Sequence, residues 1–192
     1  MTLRRFSAFP DTLAALLFAG LLSLAPVVVR ADSLQDANLL MKQGQLVPAL
    51  EKTDQLLATK PKDAQARFLK GLILTEMNRH NEAIAIFTKL TEDYPELPEP
   101  YNNLAALYAQ QRQFEKARNA IEMAIRTHPS YATAHENLGD IYALMAAQAY
   151  DKALQIDSSN AGAQTKQALI RDLLKVSPRP AAAPKIAPAA RQ

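Results

Sequence analysis

The sequence of 192 residues contains no cysteine, no tryptophan and only 5 glycines. Without cysteine the chain can form no disulfide framework, no thiolate zinc site and no cysteine nucleophile. No stretch shows the alternation of β-branched and polar residues that is typical of strands. Alanine and leucine dominate a hydrophobic fraction of 48%, and this composition favours helices. The chain is therefore predicted to be all-α.

The body of the chain also lacks a strong charge of either sign. Three of the 22 basic residues and one of the 19 acidic residues precede residue 32. Five more basic residues and one acidic residue follow residue 170, which leaves 14 basic and 17 acidic residues between them. Because a mildly acidic body binds nucleic acid poorly, we expect no nucleic-acid partner.

A long apolar run occurs only near the N-terminus. Arg4 and Arg5 precede an apolar stretch over residues 13–29, and the small Val29 and Ala31 then fit the positions that signal peptidase reads. This is the build of a secretory signal. We expect cleavage near Ala31, a periplasmic or secreted protein, and no stable membrane insertion afterwards. An uncleaved anchor is the alternative, for which 17 apolar residues with a proline near their end are marginal.

Several residue types recur every 34 positions, which is the period of some helix–turn–helix repeats. Small residues let neighbouring helices approach closely, large apolar residues fill the space between them, and each proline ends a helix. The columns are Pro61, Pro95 and Pro129; Ala37, Gly71, Ala105 and Gly139; Ala49, Ala83 and Ala117; Leu40, Leu74, Tyr108 and Tyr142; Thr53, Phe87 and Ile121; and Leu56, Leu90 and Ala124.

These columns resemble the tetratricopeptide-repeat (TPR) family, and the match is best between Tyr101 and Pro129. The resemblance implies a right-handed α-solenoid of helical hairpins, three of full length and a shortened fourth. Beyond it we expect a helix that caps the array and a Pro/Ala-rich tail that does not fold. The predicted segments are a signal peptide at 1–31, a TPR array at 32–160 with repeats at about 30–63, 64–97, 98–131 and 132–160, a capping helix at 161–176 and a disordered tail at 177–192.

The fourth repeat is five residues short. Its first helix keeps the register as far as Tyr142, but the pair Ala153-Leu154 stands five residues before the period would place it. Residues 143–149 contain no Gly, Pro or Asn with which to make a turn. Residues 132–157 are therefore predicted to form either one continuous helix or a tightened hairpin. A fused helix would leave room for a helix from a second copy, which suggests a homodimer through 132–157.

The sequence offers no arrangement of residues suited to catalysis or to metal binding. The three histidines, His80, His128 and His135, lack the spacing of converging metal ligands, and His135 is expected to face the core, in the slot of Tyr101. No glycine loop, nucleophile elbow or metalloprotease signature is present. We expect no enzyme activity, no catalytic residue, no metal and no cofactor.

The TPR resemblance also implies where a partner would bind. In that family the first helices of successive hairpins line a concave groove that holds a peptide or a partner's helix. Here the wall is apolar at its N-terminal end and polar to acidic at the other, which suits an amphipathic segment with a basic end. The wall residues are Leu34, Asn38, Met41, Phe68, Leu72, Thr75, Asn102, Ala106, Ala109, Glu136 and Asp140, with Asn103 and Asn137 beside them. Those predicted to bind the partner are Met41, Phe68, Leu72, Asn102, Asn103, Asn137 and Asp140.

One TPR subfamily grips a C-terminal carboxylate with a clamp of Lys, Arg and Asn, and this sequence departs from it. Leu34, Asn38, Asn103, Glu99 and Asn137 stand where that clamp needs Lys, Asn, Asn, Lys and Arg. The resemblance thus predicts a non-catalytic scaffold in the bacterial cell envelope that binds an unidentified protein. The alternatives are an accessory or regulatory subunit of an envelope enzyme or maturation system, and a self-assembling structural protein.

Overall fold

A computed structural model of the chain describes residues 29–176, which form eight helices and no strand. The all-α prediction is confirmed. Residues 1–28 of the predicted signal peptide and the predicted tail at 177–192 lie outside the described residues. The helices are α1 (Val29–Lys42), α2 (Leu46–Thr59), α3 (Ala64–Glu76), α4 (His80–Asp93), α5 (Pro98–Gln110), α6 (Phe114–Thr127), α7 (Ala132–Ile156) and α8 (Ala161–Val176).

The first six helices form three hairpins, α1–α2, α3–α4 and α5–α6. Each hairpin turns at one residue in the left-handed region, with φ of 74° at Gly44, 58° at Asn78 and 58° at Arg112. The next amide closes the turn, as when the Gln45 N–H donates to the Leu40 carbonyl at 2.9 Å. This is the usual way to end a helix at a left-handed residue.

A second kind of turn follows α2, α4, α6 and α7. In each, a backbone amide donates to the carbonyl three residues earlier, over distances of 3.0–3.3 Å. The accepting carbonyls belong to Lys60, Tyr94, His128 and Asp157. The first three lie 34 residues apart and the last only 29 residues on, so the fourth structural unit is five residues shorter than the others.

The shortened unit contains one continuous helix, because α7 runs over 25 residues without a turn. The single-helix alternative for this segment is therefore the one observed. In the α5–α6 hairpin Ala117 lies nine positions after Tyr108, and the left-handed Arg112 stands between them. In α7 the corresponding alanine, Ala146, lies only four positions after Tyr142. Four residues are about one helical turn, so the helix simply continues.

The core consists of three apolar clusters, one at each junction along the array. The central cluster is built around Phe87, which is 0% exposed, and the ring of Phe68 meets it edge-on with centroids 5.5 Å apart. Burial of such a side chain contributes about 1.5–3 kcal/mol. Because each cluster joins neighbouring hairpins, no hairpin buries its apolar face alone.

His135 differs from its prediction, since its side chain is exposed rather than core-facing. Tyr101, in the equivalent position, is long enough for its hydroxyl to donate to the Thr91 carbonyl on α4, at 3.5 Å. The shorter imidazole instead lies over the preceding turn, with Nε2 3.0 Å from the Pro129 carbonyl. Across residues 29–176, no helix combines the length and the apolar character needed to cross a membrane.

Candidate protein-binding groove

The first helices of the hairpins lie on the inner side of the array. Helix α1 packs on α3 and α5 packs on α7, whereas within residues 29–176 no two second helices pack on each other to a similar degree. Helices on the inner side of a curved stack approach each other more closely than those outside. The surface of α1, α3, α5 and α7, called the groove below, is therefore the concave one.

The N-terminal end of the groove is apolar. Met41 on α1 and Leu72 on α3 are partly buried, and Leu72 packs against the central core cluster. Phe68 differs from its prediction as a wall residue, because only 3% of its surface is exposed and its ring packs on Phe87. Phe68 thus supports the wall from beneath and leaves little surface for a partner.

The centre of the groove contains buried amide side chains on α5 and α7. Asn102 is 0% exposed, and Asn103 and Asn137 are each 3% exposed. Asn137 Nδ2 donates to Asn102 Oδ1 at 2.7 Å, so the structure brings these two predicted residues together. Asn103 Nδ2 instead donates to the Glu99 carbonyl at 2.8 Å, within its own helix. Asn103 keeps a second Nδ2 hydrogen and its Oδ1, but at 3% exposure it offers little surface to a peptide backbone.

Three polar atoms of this region are buried without a hydrogen-bond partner in the described part of the chain. They are Asn102 Nδ2, Glu99 Oε2 and the Tyr131 hydroxyl. Burial and, to a smaller extent, the negative charge of Glu99 raise the pKa of Tyr131 to about 12. A buried donor or acceptor without a partner costs about 1–3 kcal/mol. Polar groups of a bound peptide would remove that cost.

In the sequence, Glu99 stands out only as a position of the absent clamp, and Tyr131 does not stand out. The positions equivalent to Tyr131 in the earlier repeats are Asp63 and Leu97. Since these three residues share no chemical type, they form no column that the period could reveal. An aromatic residue just before a repeat was the only available signal.

The C-terminal end of the groove is acidic. Glu136 is exposed on α7, and Asp140 lies half-buried one turn further on. Within the described residues no group of three or more His, Asp or Glu side chains is arranged to hold a metal ion. The groove thus offers an apolar end, an amide-lined centre and an acidic end.

Comparison with known proteins shows the family. The model of the N-terminal TPR repeats region of Psidin matches residues 39–157, which is more than half of the chain. The chain belongs to the tetratricopeptide-repeat family. A curated relative is the chloroplastic tetratricopeptide repeat domain-containing protein PYG7 of Arabidopsis thaliana, 30% identical over 89 residues. The match covers 44% of this chain but only 30% of that protein.

Solved TPR structures have a similar fold. A crystal structure of MamA aligns with a TM-score of 0.56 and 20% identity, covering 76% of this chain and 84% of that one. A thermophilic TPR protein of Thermus thermophilus aligns with a TM-score of 0.57 and 21% identity, covering 75% and 82%. At such identities the likeness shows the fold alone. TPR folds generally mediate protein–protein interactions and are typically non-catalytic, so a protein partner is the class of ligand that this fold supports.

Proposed function

We propose that this chain is a non-catalytic scaffold of the bacterial cell envelope that binds a peptide segment or helix of a partner protein in its groove. The observation that supports this most directly is the surface of the first helices, which is apolar at Leu72 and acidic at Asp140. Between these ends the amide of Asn102 is buried, and its Nδ2 has no partner within the described residues. An amide that donates and accepts is well suited to a peptide unit. The secretory signal predicted at residues 1–31 supports the envelope location.

The chemistry of the groove defines the expected ligand. Leu72 and Met41 at one end would accept apolar side chains, and Glu136 and Asp140 at the other would attract a basic end. An amphipathic segment placed along the groove would thus run from apolar to basic. Asn102 lies between these ends but is 0% exposed, so its Nδ2 would reach the ligand's backbone only after the residues over it moved.

The test is capture of partners from intact cells by chemical cross-linking, followed by mass spectrometry. The variant Leu72→Glu places a charge at the apolar end of the groove and should reduce capture of the partner at least tenfold. Ala85→Glu is the matched control, since Ala85 is exposed on the second helix α4 and its replacement leaves the groove unchanged. Thermal melting followed by circular dichroism checks that both variants fold.

Equal capture by Leu72→Glu and Ala85→Glu would show that the partner does not bind in the groove. The envelope location has its own test, because the mature protein should begin at Asp32 when its N-terminus is sequenced from a periplasmic fraction. Recovery of the intact N-terminus from the cytoplasm would refute that location without affecting the groove.

A further inference from the structure

One flank of α7 lacks the neighbour that the other first helices have. In the α3–α4 hairpin, a Cβ added to Gly71 would lie 2.6 Å from the ring of Phe87, so glycine is required there. At Gly139, the equivalent residue, an added Cβ would meet nothing within 4 Å. Likewise Tyr142 is 49% exposed, whereas Leu74 in the equivalent position is 1% exposed. The first half of α7 thus has the surface of a first helix, but the second helix of its own hairpin is absent from that flank.

The residue pattern of the missing second helix is present in the same chain, in the second half of α7. With the register shifted by five residues, Ala146, Tyr150 and Ala153 continue the three columns of the second helices. In α4 these columns are Ala83, Phe87 and Leu90, and all three are 0% exposed. In α7 the three residues are only partly buried. The residues that normally pack on a first helix are thus present without that helix. Lys166 of α8 lies over the Tyr150 ring instead, with its Nζ 5.9 Å from the ring centroid.

This second half cannot cover the first half of its own helix. Gly139 and Tyr150 lie eleven residues apart in one continuous helix, about 16 Å along its axis. Helix α8 packs on α7, yet it leaves Gly139 open and Tyr142 exposed. Within the described chain, no other segment covers Gly139 or Tyr142.

We propose that the flank of α7 formed by Gly139, Tyr142, Ala146, Tyr150 and Ala153 pairs with the same flank of a second copy of this chain. These residues are spaced by 3, 4, 4 and 3 positions, so they form one stripe along the helix. Two such helices can therefore pair antiparallel about a two-fold axis, which is an isologous interface.

The α3–α4 hairpin supplies the expected geometry. Tyr150 of each copy lies on Gly139 of the other, as Phe87 lies on Gly71. With Tyr150 on Gly139, the two-fold axis passes between Leu144 and Met145, and Ala146 lies about 2 Å from it along the helix, where a small residue lets the helices approach closely. Each copy gains a second helix for its fourth repeat, and both Tyr142 side chains become covered. This pairing is independent of the groove, since it uses a different side of α7.

The first test is the mass of the purified full chain by light scattering across a concentration series. We expect twice the chain mass at high micromolar concentration and dissociation on dilution. Gly139→Arg should raise the dissociation constant at least tenfold, because Tyr150 of the second copy can no longer approach. The single chain should remain folded, since residue 139 faces open space and arginine favours helix more than glycine does. Its control is Gln148→Arg, on the opposite side of α7, which should leave the dimer unchanged.

The second test uses the absence of cysteine. The double variant Gly139→Cys/Tyr150→Cys should cross-link only between copies under a short thiol-specific reagent, because about 16 Å separates the two positions within one helix. Gly139→Cys/Gln148→Cys should not cross-link. A monomer at high micromolar concentration, or a dimer that Gly139→Arg leaves intact, would overturn the proposal. The proposal would also be overturned if Gly139→Arg released the helix of a captured partner protein rather than a second copy of this chain.

Discussion

Gly71 and Gly139 occupy the same place in their repeats but have different surroundings. Gly71 lets Phe87 pack against the backbone of α3, and any larger residue would collide with that ring. Gly139 meets no neighbour at all in the single chain. Glycine within a helix costs roughly 0.5–1 kcal/mol relative to alanine. At Gly71 close packing offsets this cost, and at Gly139 the offset would come only from the proposed second copy.

The amides of the groove show how one residue type serves two purposes. Asn103 Nδ2 bonds to the carbonyl four residues earlier, which only satisfies the side chain. Asn102 accepts from Asn137 across two helices and keeps its own Nδ2 without a partner in the described residues. Adjacent asparagines thus have a satisfied amide in one case and a buried donor without a partner in the other.

Tyr131 yields a prediction about pH. Its pKa of about 12 lies above the value near 10 of an unfolded tyrosine. Between these values the folded chain keeps a proton that the unfolded chain has lost, so stability should fall as pH rises from 10 towards 12. Tyr131→Phe removes this group and should lose less stability over that range, as urea unfolding at each pH would measure.

Spectroscopic titration provides the control for Tyr131. The phenolate absorbance of the native protein should contain a component with a pKa near 12 that is absent in Tyr131→Phe. Tyr142→Phe, which changes an exposed ring, should keep it. If the component survives in Tyr131→Phe, the assignment of this pKa is wrong.

The length of α7 depends on the five residues that its repeat lacks. The other hairpins turn at Gly44, Asn78 and Arg112. Arginine is an unusual choice there, because a left-handed conformation costs roughly 1–2 kcal/mol for a residue with a Cβ. That cost shows that the turn in α5–α6 is imposed by the packing of its two helices. In α7 the five missing residues remove the turn altogether.

Restoring the turn gives a prediction for α7. Insertion of Gln-Gly-Gln-Phe-Glu between Leu144 and Met145 recreates the spacing of the α5–α6 hairpin and places glycine at the left-handed position. We expect α7 to divide into two helices, with Tyr150 folding back onto Gly139 of the same chain. The chain should then be monomeric, and the Gly139→Cys/Tyr150→Cys pair should cross-link within one chain, as gel mobility would show.

A matched insertion of five alanines at the same place separates the effect of the turn from that of length. Alanine extends the helix and should not give an intramolecular cross-link. If the glycine-containing insertion also behaves as one long helix, the missing turn is not what keeps α7 continuous.

The whole molecule behaves as a one-dimensional stack, in which each junction has its own apolar cluster. The central helices have neighbours on both sides, and α5 buries more of its residues than any other described helix. At the N-terminal end, Leu39 and Val47 are 55% and 57% exposed. Stability in such arrays is set by contacts between nearest neighbours, so the ends should open before the centre.

Hydrogen exchange tests this gradient. Backbone amides of α4, α5 and α6 should exchange at least about tenfold more slowly than those of α1 and α8, a difference of ~1.4 kcal/mol in opening free energy. Phe87→Ala should destabilise the centre by about 3–5 kcal/mol and speed exchange in α3–α6. Leu39→Ala changes an exposed side chain and should leave the centre unaffected. Uniform exchange along the chain would contradict the gradient.

The sequence by itself determined the repeat, because a period of 34 residues assigns small, large and helix-ending residues to helices without knowledge of the fold. It also located the shortened repeat, since a loss of five residues is visible as a shift of register. The first-helix positions predicted to line the groove came from the resemblance to the TPR family. These features depend on residue type and spacing along the chain, and both can be read directly.

The tertiary structure decided which of those positions are exposed and which are buried. Phe68 belongs to the core and His135 to the surface, although the period placed both in patterned slots. Tyr131 lies beside Glu99 only because α7 packs against α5. The open flank at Gly139 likewise depends on α7 continuing without a turn. Burial and exposure are set by the neighbours of a residue in space. The sequence of one repeat does not specify which of its residues the next repeat will bury.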